Sequence, residues 1–107
     1  MDRLELDKTL ARIIAITESD GDRHTYYNPP SSVRMRYPAI RYSLNGINTN
    51  YANDGAYRTV PSYSVILIDE DPDTRYLEKI LDIPYCRFNR FYRADNLNHW
   101  EFTIYNY

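Results

Sequence analysis

The chain has 107 residues, a mass of 12.8 kDa and a formal net charge of -2, enough for one hydrophobic core and too little for a multidomain enzyme. Apolar residues make up 43% and charged residues 26%, so a packed domain is expected rather than a disordered chain. The acidic balance, with a pI near 5.6, argues against a general nucleic-acid binder, which needs a broadly cationic surface. Two residue types are out of proportion: there are 12 Tyr, and 11 of the 13 cationic residues are Arg, the others being Lys8 and Lys79. Both side chains are rich in interfaces, Tyr as a rigid ring with a polar tip and Arg as a planar fork that pairs and stacks.

In chain order, Leu6, Leu10, Ile13 and Ile14 recur at three- and four-residue steps between Asp7, Lys8, Arg12 and Glu18, which predicts an amphipathic helix over 2–18. Asp20-Gly21-Asp22 ends it. A short aromatic strand follows at His24 to Asn28, closed by Pro29-Pro30-Ser31-Ser32, whose prolines cannot sustain a ladder. Ile40, Tyr42 and Leu44 alternate with Arg41 and Ser43 as in a half-buried strand. The stretch Asn45 to Arg58 holds four Asn, two Gly and no sustained periodicity, and reads as a long polar loop or an irregular hairpin arm; either is uncommon in so small a domain without a contact role. Val65 to Ile68 is a continuous apolar run, expected of a central strand covered on both faces. A second helix is expected to begin at Asp71-Pro72-Asp73, with Asp71 as N-cap and Leu77, Ile80 and Leu81 as its apolar stripe, and to stop at Pro84.

The last 22 residues read as a hairpin. A three-residue loop Asp95-Asn96-Leu97 sets Tyr92 opposite Trp100, Arg90 opposite Phe102 and Phe88 opposite Ile104, gathering large apolar residues on one face. A two-residue Asp95-Asn96 turn pairs Phe91 with Trp100 but Asn89 with Phe102, splitting the aromatic set, so the first register is preferred. The expected fold is α+β, a mostly antiparallel sheet with two helices packed against it, in the order α-β-β-β-α-β-β.

Candidate chemistry is thin. Asp69, Glu70, Asp71 and Asp73 could hold a divalent cation, but capping and solvation at a helix start account for each of them. His24 and His99 are distant and form no zinc-spaced pair, and one cysteine allows neither an internal disulfide nor a multi-cysteine zinc site. Cys86 with His99 as base would be a nucleophile pair, yet the preferred register does not oppose them, and Cys86 reads as a small core residue. The expectation is no catalytic residues, no metal and no cofactor. Arg87 and Arg93 should share one strand face and Arg90 the other, with Arg34, Arg36 and Arg41 a separate set. No window is apolar enough to span a membrane, and the start MDRLELDK is too acidic for a signal peptide.

Three segments carry a resemblance: Tyr26 to Ile40 (YYNPPSSVRMRYPAI), Ile68 to Thr74 (IDEDPDT) and Cys86 to His99 (CRFNRFYRADNLNH). Together they resemble the tail terminator proteins of long-tailed bacteriophages, also called tail completion or head-tail joining proteins, over nearly the whole chain. The resemblance implies a structural virion protein at the head-tail junction, assembled in the bacterial cytoplasm. It forms a homo-oligomeric, hexameric ring that caps the tail tube, ends tube polymerisation and meets the head connector, with DNA passing through the lumen. A head-completion or connector role at the same junction is the nearest alternative; a small metal-dependent nuclease or a non-viral protein-binding module are the alternatives from other classes. Contact residues are expected in the segments a core does not explain: Tyr26, Tyr27, Arg34 and Arg36 in one arm; Asn48, Tyr51, Asn53, Tyr57 and Arg58 in the polar stretch; Asn96 and His99 at the hairpin turn; Tyr105 and Tyr107 at the end. The Ala94 to His99 motif reads equally as a structural turn with Asn98 and His99 bonded to backbone.

Overall fold

The structure is a computed structural model that describes residues 2–14, 24–30, 37–52 and 55–106, with the backbone alone at 48–52 and 55–59. The elements are α1 (Arg3–Ile14), β1 (Thr25–Tyr27), β2 (Ala39–Ala52), β3 (Gly55–Asp69), α2 (Leu77–Leu81), β4 (Cys86–Ala94) and β5 (Leu97–Tyr105). One sheet contains all five strands in the order β1-β2-β3-β5-β4. Only β1 and β2 run parallel; the other three pairings are antiparallel. The fold is therefore α+β with the element order that the sequence predicts.

Helix α1 starts on Asp2, whose carboxylate accepts the Glu5 backbone N–H at 2.8 Å and so satisfies one of the helix's otherwise unpaired donors. Its stripe of Leu6, Leu10 and Ile14 is at most 1% exposed, each burial contributing about 1.5–3 kcal/mol. The stripe lies on Ile40 and Tyr42 of β2, Tyr63, Val65 and Leu67 of β3, and Trp100, Phe102 and Ile104 of β5, joined by Tyr76, Ile80 and Ile83 around α2. These strand residues fall in matching rows, Tyr42 opposite Val65 and Val65 opposite Phe102, so they form the helix-bearing face. The opposite face carries Arg41, Ser43, Ser64, Glu101 and Thr103, with Ile66 and Ile68 also buried. β3 is thus central and buried on both faces, as its apolar run predicts.

Of the two readings of Asn45 to Arg58, the irregular hairpin arm is the one observed: apart from positions 53 and 54, it is paired from Gly46 with Ser62 to Ala52 with Gly55 through two register shifts. Four other expectations are corrected. The second helix is shorter than expected. Asp69 accepts the Asp71 N–H at 3.0 Å and Asp71 the Asp73 N–H at 2.9 Å, and these local turns compete with helix. Helix α2 therefore begins only at Leu77, with Tyr76 at its cap, and Leu81 is exposed.

The terminal hairpin takes the two-residue turn, Ala94 pairing with Leu97 while Asp95 and Asn96 adopt φ of 54° and 63°. Both central residues with positive φ make the turn whose twist matches the strands, and Asp and Asn tolerate it. A bulge at Asn89 removes the cost that argued against this register. It sets Phe88 opposite Phe102 and Phe91 opposite Trp100 on the same face, with ring centroids 5.6 and 5.4 Å apart. The bulge also shifts the other side chains: Arg87 and Arg90 now share the face of Thr103 and Glu101, while Arg93 is on the helix-bearing face. Tyr92 moves off the core face and stacks on His99 at 4.8 Å.

Asn98 is buried and donates through Nδ2 to the carbonyls of Asp69 and Glu70 at 3.2 and 3.1 Å, tying the end of β3 to β5. Substituting Asn98→Ala leaves both carbonyls short of a donor and should lower stability by about 1–3 kcal/mol, measured by urea denaturation.

Candidate interaction surfaces

Among the described residues the sheet has two edges, β1 and β4, and they differ in length and chemistry. β4 spans nine residues and exposes Phe88 (44%) and Phe91 (51%) on the helix-bearing face, next to Tyr85 (63%). A long edge strand with large apolar side chains is the pattern natural sheets avoid unless the edge pairs with another chain. The strand carries Arg87, Arg90 and Arg93 and no acid. Arg90 is held by Glu101 at 2.8 Å and lies 4.9 Å from the Tyr92 ring, so the rest of the polar face at this edge is an ordered set, Arg90 on Tyr92 on His99. Asn89, the bulged residue, donates to Thr103 Oγ1 at 2.6 Å.

The β1 edge is only three residues long. His24 O and Asn28 N–H bond to β2 at Ile40 and Tyr42, so strand alternation turns the backbone groups of Thr25 and Tyr27 outward. On the helix-bearing side a recess of about 340 Å³ lies beside this edge, lined by Arg3, Asp7, Thr25, Tyr27, Pro29 and Pro30 together with Tyr26. Its wall is fixed by a chain of contacts. Tyr27 packs on Tyr42 at 4.9 Å, the Arg3 guanidinium lies 4.6 Å from the Tyr27 ring, and Tyr42 Oη donates to Asp7 Oδ1 at 2.6 Å. Burial and the bond to Asp7 push the Tyr42 phenol up to about 12. The Thr25 hydroxyl is buried and has no hydrogen-bond partner among the described residues.

The third surface is the β2–β3 arm. It stretches the molecule to 51 × 29 × 29 Å, with Leu44 and Ile47 exposed near its base. The radius of gyration, 15.1 Å, exceeds the roughly 13 Å of a compact domain of this length.

The expected contact residues distribute unevenly over these surfaces. Tyr27 stands at the β1 edge with its ring against core Tyr42, while Tyr26 belongs to the opposite face and is half-buried. Asn48, Tyr51, Tyr57 and Arg58 are in the strands of the arm. Asn96 is exposed in the hairpin turn, His99 is half-buried with Nδ1 3.1 Å from the Leu97 carbonyl, and Tyr105 pairs with Ser62. Arg34, Arg36, Asn53 and Tyr107 lie outside the described residues. The β4 edge, with Phe88, Phe91 and Tyr85, was missed because the preferred register counted Phe88 as core; an Asp-Asn pair able to form a two-residue turn was the available signal.

The chemical candidates are accounted for by structure. Asp69 and Asp71 accept backbone N–H groups, and the described residues contain no group of three or more potential metal ligands. His24 and His99 are separated by three strand spacings, about 14 Å. Cys86 opposes Ile104, five rows from His99, and burial pushes its thiol up to about 11, away from the reactive thiolate. No described helix is long and apolar enough to cross a membrane. Neither protein-family models nor curated proteins give a match to this chain.

The Tyr42 phenol is favoured in its neutral form by the fold, so its contribution is complete below pH 10 and is lost as pH rises toward about 12. Tyr42→Phe should cost about 1–2 kcal/mol at neutral pH and flatten the alkaline fall in stability, read from denaturant midpoints at pH 8 and above.

Proposed function

We propose that this chain is a structural assembly protein of the phage tail terminator type, forming a ring that caps the tail tube and takes part in the head-tail joint. The observation that carries the reading is the combination of a projecting β2–β3 arm with two chemically unlike sheet edges. A closed ring of identical subunits needs head-to-tail contacts, in which one surface of each copy meets a different surface of the next. An apolar, cationic β4 edge and a recessed β1 edge on opposite sides of one sheet provide such a pair. The arm then remains for contact above or below the ring, with tube or connector protein. The resemblance in the 26–40, 68–74 and 86–99 segments points the same way, and a ring of six copies is what that resemblance implies. The 13 cationic residues are outnumbered by 15 acids, a balance that suits passage of DNA through a lumen better than tight phosphate binding, since each phosphate contact adds retention.

Replacing residues 49–59 with an Asn-Gly turn closes the arm on the existing Asn48–Val60 pair and leaves every described residue of the helix-covered core in place. The variant should fold with unchanged thermal stability yet fail to terminate tails, seen as overlong tubes by electron microscopy of phage assembled with it. Tails of normal length would refute the reading.

A further inference from the structure

We infer that the β4 edge binds an extended segment of another protein, one that alternates apolar and acidic residues, as an added antiparallel strand. The inference goes beyond the ring reading and stands without it; in a ring, the added strand would lie at the joint between one copy's β4 and the next. Among the described residues no strand lies beyond β4. Arg87, Phe88, Asn89, Arg90 and Phe91 are exposed in succession, on both faces of the strand.

The ladder defines what this edge offers. The Tyr105 N–H donates to the Tyr85 carbonyl at 3.1 Å, so along β5 the bonded rows are those of Tyr105, Thr103, Glu101 and His99. The residues opposite the intervening rows, Cys86, Phe88, Phe91 and Arg93, turn their backbone N–H and C=O groups away from β5. All four set their side chains on the helix-bearing face. Phe88 and Phe91 both fall in this outward row because the bulge at Asn89 shifts β4 by one residue between them. Bulges and charges also serve to protect an edge, but an edge so protected does not set two half-exposed phenylalanines in its outward row.

Charge decides the occupant. β4 carries Arg87, Arg90 and Arg93 and no acid. Arg90 is paired with Glu101 yet keeps 66% of its side chain exposed, and Arg87 and Arg93 form no ion pair among the described residues. A strand with apolar residues opposite Phe88 and Phe91 covers both rings on the helix-bearing face. Its alternate residues then lie beside Arg87 and Arg90 on the other face, where acids are favoured, and a further acid meets Arg93. The described strands of this chain do not supply such a segment: β1 and β2 hold no acid, β3 only Asp69 at its end, and β5 only Glu101, already paired. The partner is therefore a different protein, held by main-chain bonds and chosen by alternate side chains.

The probe is a fluorescein-labelled peptide, Glu-Thr-Val-Glu-Val-Glu, which in antiparallel register sets its valines opposite Phe91 and Phe88 and its glutamates beside Arg93, Arg90 and Arg87. Fluorescence anisotropy should show saturable binding to the full chain. Binding should weaken about tenfold when both valines are N-methylated, which removes ladder donors and keeps the side chains, and by a similar factor in the Arg87→Glu, Arg93→Glu double variant. Replacing the glutamates of the peptide with lysines should abolish it. Equal binding of the N-methylated peptide would show that no strand is added, and equal binding of the lysine peptide or by the double variant would show that charge does not choose the occupant. Either result, or no binding, overturns the inference. Light scattering on the chain without peptide separates this from the ring reading: a chain that assembles but leaves the peptide unbound keeps the ring and loses the partner strand, whereas a monomer that binds the peptide keeps the strand and loses the ring.

Discussion

A twisted five-stranded sheet that does not close on itself leaves two rows of backbone donors and acceptors, and this constraint organises the rest of the molecule. The helices cover the middle of one face, over β2, β3 and β5, where Ile40, Val65, Leu67 and Phe102 are fully buried. Helix α2 meets β4 near its start, where Cys86 packs against the core, and further along the strand Phe88 and Phe91 remain half exposed although each touches a core ring. The edge strands touch the core through Tyr27 on Tyr42 and Phe88 on Phe102, and what they leave exposed, apolar and cationic at β4 and recessed at β1, is available for contact.

Local devices set the geometry at both ends. At β4, the Asp95-Asn96 turn fixes the register and the bulge at Asn89 restores the aromatic face, so a three-residue step on one strand matches a two-residue step on the other. At β1, the contacts among Arg3, Tyr27, Tyr42 and Asp7 hold the wall of the recess against the start of α1. The buried Asn98 clamps β5 to the chain leaving β3. Each is a specific polar arrangement at the margin of an otherwise apolar core. Each helps keep a surface in one shape, which an assembly interface requires before it can bind without an ordering cost.

The α+β class, the order of elements and the central strand were legible in the sequence because burial writes a period: three and four in α1, two in Ile40 to Leu44, and a continuous run in Val65 to Ile68. Where burial does not act, the pattern fails. The polar stretch from Asn45 to Arg58, without sustained periodicity, left loop and hairpin arm open as readings, and the described strands of the arm decide for the second. The hairpin register was misread for a different reason: a one-residue bulge has no composition signal, and without it the two-residue turn places Asn89 opposite Phe102. The start of α2 was misplaced because Asp-Pro-Asp satisfies helix capping and local turns alike, and the carboxylates of Asp69 and Asp71 took the turns. Of the candidate surfaces, the excess of tyrosine in segments without a core pattern draws attention to those near β1, whereas the β4 edge requires the register.

The central claim is that the chain closes on itself head to tail through two unlike surfaces. Native mass spectrometry of the purified chain across a range of concentrations tests it most directly. The account predicts a single larger species of fixed copy number, six on the resemblance, that persists on dilution as a closed ring does. A chain that stays monomeric, or that stops at a dimer, would contradict it.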